Sequence, residues 1–351
     1  MDQMEFICPR CRRAAAERNI QSPLKIGRIF SRDGDFILEG FLACSNHDCG
    51  YLYPILEGVP IILRSLEGWW CSEGAKLSCV NSAAPEMREY FSSLNSGGPS
   101  SHAERGLLSS YMGLHYGATC EVPVPLGEWA DPRCFWETVV EIARPEAEAQ
   151  YGRSLDLGCS VGRYTFELAR FSALAVGLDL NFRLVSSAAE FHRTKRLCYE
   201  RKEHGHWFEE VQASYSPPDN VLFLVADALD PPFSAESFDL VAGLNLIENV
   251  RIPLILIGQM DALLQSDGVL ILGSPYEWRA DICEPAEWLE NGLLDAPEMV
   301  RRIIEGSLFP RTGLKYQILE EFQDVPWVMR HHSRYWSLFL VHIIKARKRK
   351  R

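Results

Sequence analysis

Three acidic residues and a glycine-rich turn between positions 156 and 227 have the types and spacing of a nucleotide-like binding site. Asp156 lies two residues before Gly158, and Gly162 follows in the segment DLGCSVG. Glycines at such positions allow a tight turn between a strand and a helix, which brings backbone N–H groups close to a ligand. Ser160 and Arg163 occupy the second and third glycine positions of the fingerprint G-x-G-x-x-G, and no Gly-Lys-Ser/Thr sequence follows. The turn therefore predicts a ligand that is neither a dinucleotide nor a nucleoside triphosphate.

The three carboxylates indicate which groups this ligand carries. Asp156 suits an ammonium group and disfavours a phosphate. Asp179 lies 21 residues after Gly158, at the end of the second predicted strand, where an acid hydrogen-bonds ribose hydroxyls. Asp227 ends the third predicted strand and can face the exocyclic amine of adenine. An ammonium group, a ribose and an adenine without a phosphate describe S-adenosylmethionine. The same predicted cofactor site includes three neighbours in these turns, Cys159, Leu180 and Ala228, together with Asn245 after the fourth predicted strand.

Four cysteines near the start of the chain have the spacing of a metal site. Cys8 and Cys11 form a C-x2-C pair, and Cys44 and Cys49 form a C-x4-C pair after 32 intervening residues. Four thiolates in two pairs suit a tetrahedral structural Zn²⁺, and four protein ligands leave no open position for catalysis. His47 lies within the second pair and can replace one cysteine as a ligand. The alternative is a metal-free ribbon held together by its apolar strands.

Candidate catalytic residues follow the fourth and fifth predicted strands. Asn245 can hydrogen-bond a methyl acceptor, and Glu248 can orient or deprotonate it, although Glu248 also suits the solvated start of a helix. Tyr276 and Trp278 can form flat walls for an aromatic or cationic acceptor, although both also suit simple core packing. These side chains belong to one site because parallel strands end at the same edge of a sheet.

The pattern of strands and helices that must position these residues predicts an α/β fold. From Ser154 onward, apolar strand-like segments alternate with helical stretches, which predicts a parallel sheet covered by helices. The strand candidates are LDLG, ALAVGLDL, VLFLVADA, FDLVAGLNL and GVLILGSP. Two further extended runs, DVPWVMRHH and YWSLFLVHIIKA, follow without a helix between them and predict an antiparallel hairpin at the sheet edge. We therefore expect a Rossmann-like, mostly parallel seven-stranded sheet, preceded by a small β domain with the cysteines.

The order of these motifs resembles that of the class I S-adenosylmethionine-dependent methyltransferases. The resemblance rests on the spacing of DLGCSVG, GLDL, VADALDPPF, FDLVAGLNLIENV and LLQSDGVLILGSP. Further segments resemble the methyltransferase domain of ovothiol biosynthesis, which methylates a ring nitrogen of a thiol-bearing histidine. They are YMGLHYG, NLIEN, SPYEW followed by EPAEWLENG, and VPWVMRHHSRYW, and the resemblance covers roughly residues 108–345. This resemblance implies that Tyr111 and Tyr116 cap the cofactor and that the acceptor is an imidazole- or thiol-containing amino-acid derivative.

The cysteine segment, which continues into YPILEGVP, resembles small bacterial zinc-ribbon proteins. Those proteins are related to the activator subunit of certain tRNA and translation-factor methyltransferases. The resemblance implies a zinc ribbon that can dock a protein partner. With it, the chain divides into a zinc ribbon (1–66), a linker (67–105), a methyltransferase domain (106–345) and a basic tail (346–351).

Composition limits the partners. The net charge is −11, although the last seven residues, KARKRKR, are basic apart from one alanine. The acidic remainder repels a phosphate backbone, which argues against RNA or DNA as the acceptor. The sequence shows neither a secretory signal nor a long apolar run, so we expect a cytoplasmic protein with no membrane segment. Its eleven cysteines then predict thiols or metal ligands rather than disulfides.

These observations lead to one main functional hypothesis and two alternatives. The leading reading is an enzyme that transfers a methyl group from S-adenosylmethionine to a small-molecule acceptor. One alternative is an RNA or protein methyltransferase that uses the zinc ribbon for recognition. The other is a non-enzymatic, cofactor-binding scaffold or regulator whose ribbon docks a partner.

Overall fold

The computed structural model describes most of the chain, namely residues 4–14, 21–72, 83–94, 101–117, 132–146, 149–308 and 314–349. Parts of all four predicted regions lie outside the described residues: 1–3 and 15–20 of the zinc ribbon, 73–82 and 95–100 of the linker, 118–131, 147–148 and 309–313 of the methyltransferase domain, and 350–351 of the basic tail. Among the described helices, none has the length and apolar character needed to cross a bilayer.

The N-terminal module is a small antiparallel sheet preceded by a short helix. Helix α1 is followed by four strands that pair in chain order. The elements are α1 (Pro9–Ala14), β1 (Leu24–Asp33), β2 (Phe36–Cys44), β3 (Leu52–Leu56) and β4 (Val59–Pro60). Tyr53 and Ile55 of β3 are fully buried, and they anchor the core of this sheet. The small β region that carries the cysteines is thus present where the sequence predicts it.

The main sheet has seven strands. In chain order the strands after the module are β5 (Tyr151–Leu157), β6 (Ser172–Asp179), β7 (Cys198–His204), β8 (Trp207–Gln212), β9 (Val221–Val225), β10 (Phe238–Leu244), β11 (Leu264–Ser274), β12 (Tyr316–His332) and β13 (Tyr335–Lys348). The order in the main sheet is β12-β13-β11-β10-β5-β6-β9, while β7 and β8 form a separate hairpin. Strands β5, β6, β9, β10 and β11 run parallel, and β13 pairs antiparallel with both β11 and β12. The predicted mostly parallel sheet is therefore confirmed.

The strand order of this sheet reverses between β5 and β10. From β5 it continues outward to β6 and β9, and it then returns to the other side of β5 as β10 and β11. The connections after β5 and β10 lead away from each other, which opens a crevice at the carboxyl edge. In open α/β sheets, ligands bind at this position.

Helices cover both faces of the sheet, as its uninterrupted apolar strands require. The helices after α1 are α2 (Leu66–Ser72), α3 (Pro85–Ser92), α4 (Ser101–Tyr116), α5 (Pro132–Ala143), α6 (Arg163–Ala169), α7 (Phe182–Thr194), α8 (Pro253–Leu263) and α9 (Ala296–Glu305). One face packs side chains of α5, α6 and α7, such as Val139, Phe166 and Phe191. The other face packs side chains of α8 and α9, such as Met260 and Val300. Helices α2 and α3 lie within the segment that the sequence predicts to be a linker.

The N-terminal module packs against the free edge of the main sheet, beside β9. Ile61 forms a parallel bridge with Val225, and the Ile62 amide donates to the Val225 carbonyl at 2.9 Å. Arg64 forms two hydrogen bonds, of 2.8 and 2.6 Å, with one oxygen of Asp230. Arg12 also pairs with Asp230. These contacts cover an open sheet edge and bring the start of α2 to the carboxyl ends of the strands.

Candidate active site

A large cavity lies at the carboxyl edge of the main sheet. Its volume is about 1550 Å³, and its walls include the residues that directly follow β5, β6, β9 and β10. Pockets for a single drug-sized ligand usually measure about 300–1,000 Å³. The cavity therefore has room for two ligands side by side.

The glycine turn after β5 forms the floor of one part of the cavity. Gly158 has a φ of +76°, and its amide donates to the Leu178 carbonyl at 2.9 Å. Gly162 has a φ of +83° at the start of α6, where a Cβ atom would lie 2.7 Å from the ring of Phe223. Residues with a side chain rarely adopt such angles, and at Gly162 the space is also filled. The turn thus requires glycine at both positions.

Asp156 is buried beneath this turn. It is 2 % exposed and accepts a hydrogen bond of 2.7 Å from the hydroxyl of Thr165. Burial raises the pKa of Asp156 to about 7, and the charge of Asp179 adds to the effect. A cationic ligand close to such a buried carboxyl group would stabilise its ionised form.

Two further acids stand beside it at the ends of β6 and β9. Asp179 accepts the Ser160 amide at 3.0 Å with one oxygen and the Asn181 amide at 2.9 Å with the other. Asp227 accepts the Leu229 amide at 2.9 Å. The structure gathers seven predicted cofactor residues on one wall, which we call the acidic half: Asp156, Gly158, Cys159, Asp179, Leu180, Asp227 and Ala228.

The other candidates fall into two groups. Asn245 and Tyr111 line the cavity, whereas Gly162 and Tyr116 lie behind its wall. Asn245 follows β10 with a φ of +51°, and its buried Oδ1 atom has no hydrogen-bond partner. Tyr116 is buried, and its hydroxyl donates to the Val161 carbonyl at 2.8 Å. Tyr116 therefore holds α4 against the glycine turn.

Glu248 and Tyr276 do not line the cavity. Glu248 is 3 % exposed and accepts a hydrogen bond of 2.7 Å from Ser274, and burial raises its pKa to about 7. The Tyr276 hydroxyl shares a hydrogen bond of 2.8 Å with Nδ1 of His342, whose Nε2 lies 3.0 Å from Glu321. These contacts brace the ends of β10 and β11.

Trp278 is also absent from the lining residues. Its ring is stacked on that of Trp288, with the ring centres 6.4 Å apart. The sequence predicts that Tyr276 and Trp278 form flat walls of the acceptor site, but other aromatic residues line the cavity instead.

Those residues form a continuous row of rings, which we call the aromatic half. Ring centres are 6.2 Å apart between Tyr111 and His115, 5.0 Å between His115 and Trp136, 5.5 Å between Trp136 and Phe135, and 6.1 Å between Phe135 and Trp327. All five residues line the cavity. They come from α4, α5 and β12, and sequence analysis predicted only Tyr111, because no spacing in the sequence brings these elements together.

Sequence analysis also missed the contribution of the N-terminal module. Arg64 and Trp69 line the cavity next to the acidic half. The indole nitrogen of Trp69 donates to the Leu180 carbonyl at 2.9 Å. Helix α2 therefore completes the cavity wall at the end of β6.

The four predicted cysteines meet within the N-terminal module, where α1 lies next to the ends of β2 and β3. Among the residues that the structure describes, all four sulfur atoms lie within 4.8 Å of one another. Cys8 is 3.9 Å from Cys49, and Cys11 is 3.6 Å from Cys44. Sulfurs bound to one tetrahedral Zn²⁺ at about 2.3 Å would lie about 3.8 Å apart, so the cluster fits that ion. His47 is not part of the cluster.

Comparisons with known proteins agree with this architecture. Residues 155–272, from β5 to β11, match the family model described as a methyltransferase domain. No curated protein sequence matches the chain. The matched region is thus a methyltransferase domain, and the protein is an S-adenosylmethionine-dependent methyltransferase.

Solved structures with a similar fold are distant in sequence. The N-methyltransferase NodS from Bradyrhizobium japonicum is 15 % identical with a TM-score of 0.40, over 65 % of this chain and 100 % of that one. YcgJ from Bacillus subtilis is 16 % identical with a TM-score of 0.39, over 62 % of this chain and 99 % of that one. The [4+2]-cyclase SpnF is 16 % identical with a TM-score of 0.42, over 69 % and 92 %. Similarities of this size identify no acceptor.

Proposed function

We propose that the enzyme transfers the methyl group of S-adenosylmethionine to a small-molecule acceptor, an imidazole- or thiol-containing amino-acid derivative. The observation that carries this proposal is the division of one cavity into an acidic half and an aromatic half. The first suits the cofactor, and the second offers flat walls for a ring. The resemblance to the ovothiol methyltransferase domain supports the same acceptor class.

The acidic half fits the groups of the cofactor. Asp156 is a buried carboxyl group without a cationic partner in the described chain, which suits the cofactor's ammonium group. Asp179 lies at the strand end where an acid reaches ribose hydroxyls, and Asp227 lies at the neighbouring strand end. The buried hydroxyl of Ser160 has no partner in the described chain, so a bound ligand can satisfy it. When bound, S-adenosylmethionine supplies a sulfonium methyl group that a nucleophile can attack.

The aromatic half determines how the acceptor is held. Trp136 and Trp327 are partly buried and line the cavity, and Asn245 offers an unpaired carbonyl oxygen at the junction with β10. Such walls fix the orientation of a ring and exclude water, which are the main contributions that a methyltransferase makes to the displacement.

The described carboxyl groups in the cavity lining either belong to the acidic half or are paired with arginine. This arrangement favours a nucleophile that does not need a base. Of the described acids in its lining, Asp156, Asp179 and Asp227 belong to the acidic half. Asp230 is paired with Arg12 and Arg64, and Asp281 is paired with Arg279, which lowers the pKa of Asp281. An imidazole nitrogen or a thiolate has a free lone pair, so no group must remove a proton before attack.

Transfer of label tests the proposed function. Purified enzyme is incubated with methyl-labelled S-adenosylmethionine and the small-molecule fraction of a cell extract, and labelled products are identified by mass spectrometry. We expect one labelled product that carries an imidazole or thiol group. Label in purified tRNA or rRNA, with activity that falls steeply as salt rises, would show that the acceptor is a nucleic acid.

We further propose that the four cysteines bind one structural Zn²⁺. Two protein groups support the thiolates: the hydroxyl of Tyr53 lies 3.0 Å from the Cys8 sulfur, and the amide of Asn46 lies 3.6 Å from the Cys11 sulfur. Metal analysis of protein purified without chelators should find about one zinc per chain. Cys8→Ser should release it and destabilise the N-terminal module, while Cys198→Ser, at an exposed cysteine outside the cluster, should retain it. Absence of zinc from the unmodified protein would contradict this proposal.

A further inference from the structure

His115 is one of the five rings of the aromatic half, between Tyr111 and Trp136. It lies in the last turn of α4, is 9 % exposed and lines the cavity. Its ring centre is 5.0 Å from that of Trp136 and 6.2 Å from that of Tyr111. The imidazole ring is therefore enclosed by other rings at the point where an acceptor would be bound.

The ring carries a buried polar atom that the protein leaves unsatisfied. Among the described residues, six buried side-chain nitrogen or oxygen atoms have no hydrogen-bond partner, and Nδ1 of His115 is one of them. Three of the six line this one cavity, namely His115 Nδ1, Ser160 Oγ and Asn245 Oδ1. Unpaired buried polar atoms are rare and costly in folded proteins. Their concentration at one cavity indicates partners on a bound ligand.

The fold does not need a polar ring at this position. The backbone carbonyl of His115 accepts a hydrogen bond of 3.0 Å from Arg163, and any residue would keep that bond. The neighbouring Trp136 is fixed separately, because its indole nitrogen donates to the Leu114 carbonyl at 3.1 Å. An apolar ring would fill the same space without an unsatisfied atom.

The charge of His115 suits a site that also receives a sulfonium group. Burial lowers the pKa of His115 to about 3, and the nearby Arg163 contributes to this shift. The ring is therefore neutral at physiological pH and offers one donor and one acceptor nitrogen. A neutral ring does not repel a cationic cofactor, as a protonated histidine would.

We infer that Nδ1 of His115 hydrogen-bonds the methyl acceptor and selects acceptors whose ring carries a polar nitrogen. This inference rests on the proposed function, since it places the acceptor in the aromatic half. His115 then acts as a binding residue that sets the orientation of the ring, together with Asn245, whose unpaired oxygen lines the same cavity.

Three variants test this role. His115→Phe keeps the ring and removes both nitrogens, whereas His115→Asn places an amide atom close to the position of Nδ1. His192→Phe is the matched control, because His192 is equally buried at 8 % exposure but does not line the cavity. Each variant is assayed for label transfer to the small-molecule fraction, for binding of S-adenosylhomocysteine by calorimetry, and for its thermal unfolding midpoint.

We expect His115→Phe to lose label transfer by tenfold or more, to bind S-adenosylhomocysteine as the unmodified enzyme does, and to unfold at the same or a higher temperature. His115→Asn should recover part of the transfer, and His192→Phe should transfer label normally. Normal transfer by His115→Phe would overturn the inference. A loss of label transfer would also overturn the inference if the affinity of His115→Phe for S-adenosylhomocysteine fell by the same factor, or if its unfolding midpoint fell. The role of His115 would then be structural. If the unmodified enzyme labels no small molecule, the proposed function fails as well, and the inference fails with it.

Discussion

The acidic half and the aromatic half of the cavity are assembled in different ways. All seven residues of the acidic half come from one stretch, 156–228, in which three strands end side by side in the sheet. The aromatic half combines α4 and α5, which precede the first strand of the main sheet, with β12, which follows the last parallel strand. One half is thus built by local turns on a parallel sheet, and the other by packing between distant segments.

This difference corresponds to the division of labour in the proposed reaction. A turn after a strand fixes backbone and carboxyl positions within a few residues, which suits recognition of one cofactor. A wall made of side chains from separate elements can differ in its side chains while the turns after the parallel strands stay the same, which suits recognition of a particular acceptor. We therefore expect substitutions in the two halves to separate cofactor binding from acceptor turnover.

The largest expected effect belongs to Asp156. Asp156→Asn keeps the shape and the contact with Thr165 but removes the charge that pairs with the cofactor's ammonium group. Affinity for S-adenosylhomocysteine should fall about a hundredfold, or about 2.7 kcal/mol, measured by calorimetry. Adenosine, which lacks the ammonium group, should bind equally to both proteins. An equal loss for adenosine would show that Asp156 supports the turn rather than the cofactor tail.

A second effect follows from the pKa of Asp156, which burial raises to about 7. Below that pH the carboxyl group of the free enzyme is protonated and must release its proton before it can pair with an ammonium group. Affinity should therefore fall as the pH falls, by about fiftyfold between pH 7 and pH 5. Calorimetry across this range should show no such dependence for Asp156→Asn. Glu248→Gln should keep the dependence, although burial raises the pKa of Glu248 to about 7 as well, because Glu248 does not line the cavity.

Substitutions in the aromatic half should lower acceptor turnover and leave cofactor affinity unchanged. Trp327→Ala removes one end of the row of rings, so the acceptor loses alignment while the cofactor keeps its contacts. Label transfer should fall about tenfold, with affinity for S-adenosylhomocysteine unchanged. Trp207→Ala is the control, because Trp207 is 60 % exposed on the β7–β8 hairpin. A fall in cofactor affinity with Trp327→Ala would show that the two halves are not separable.

The same contrast explains how much could be predicted from sequence. Parallel strands, their order along the chain and the acids that follow them leave local patterns, so Asp156, Asp179 and Asp227 could be placed at one edge before any coordinates. Asn245 could be placed for the same reason.

Tyr276 and Trp278 also follow a strand, but their side chains contact His342, 66 residues after Tyr276, and Trp288, in the loop after β11, and no local pattern predicts these contacts. His115, Trp136 and Trp327 meet only through tertiary packing, which no local pattern encodes.

The smallest expected effect concerns Trp69. This residue contacts the acidic half from a segment that is distant in sequence. Trp69 comes from α2, yet its indole nitrogen donates to the carbonyl of Leu180, one residue beyond Asp179. Trp69→Phe removes this hydrogen bond and leaves a smaller aromatic ring in place of the indole, so affinity for S-adenosylhomocysteine should fall about fivefold, which corresponds to about 1 kcal/mol.

Trp70→Phe is a matched control on the same helix. Trp70 is similarly buried, but its indole nitrogen has no partner in the described chain and the residue does not line the cavity. Its affinity should equal that of the unmodified enzyme. If Trp69→Phe also binds normally, the N-terminal module covers the sheet edge without shaping the cofactor site. If affinity falls as expected, the cysteine module acts on the cofactor through α2, and the acidic half depends on a segment more than a hundred residues before Asp179.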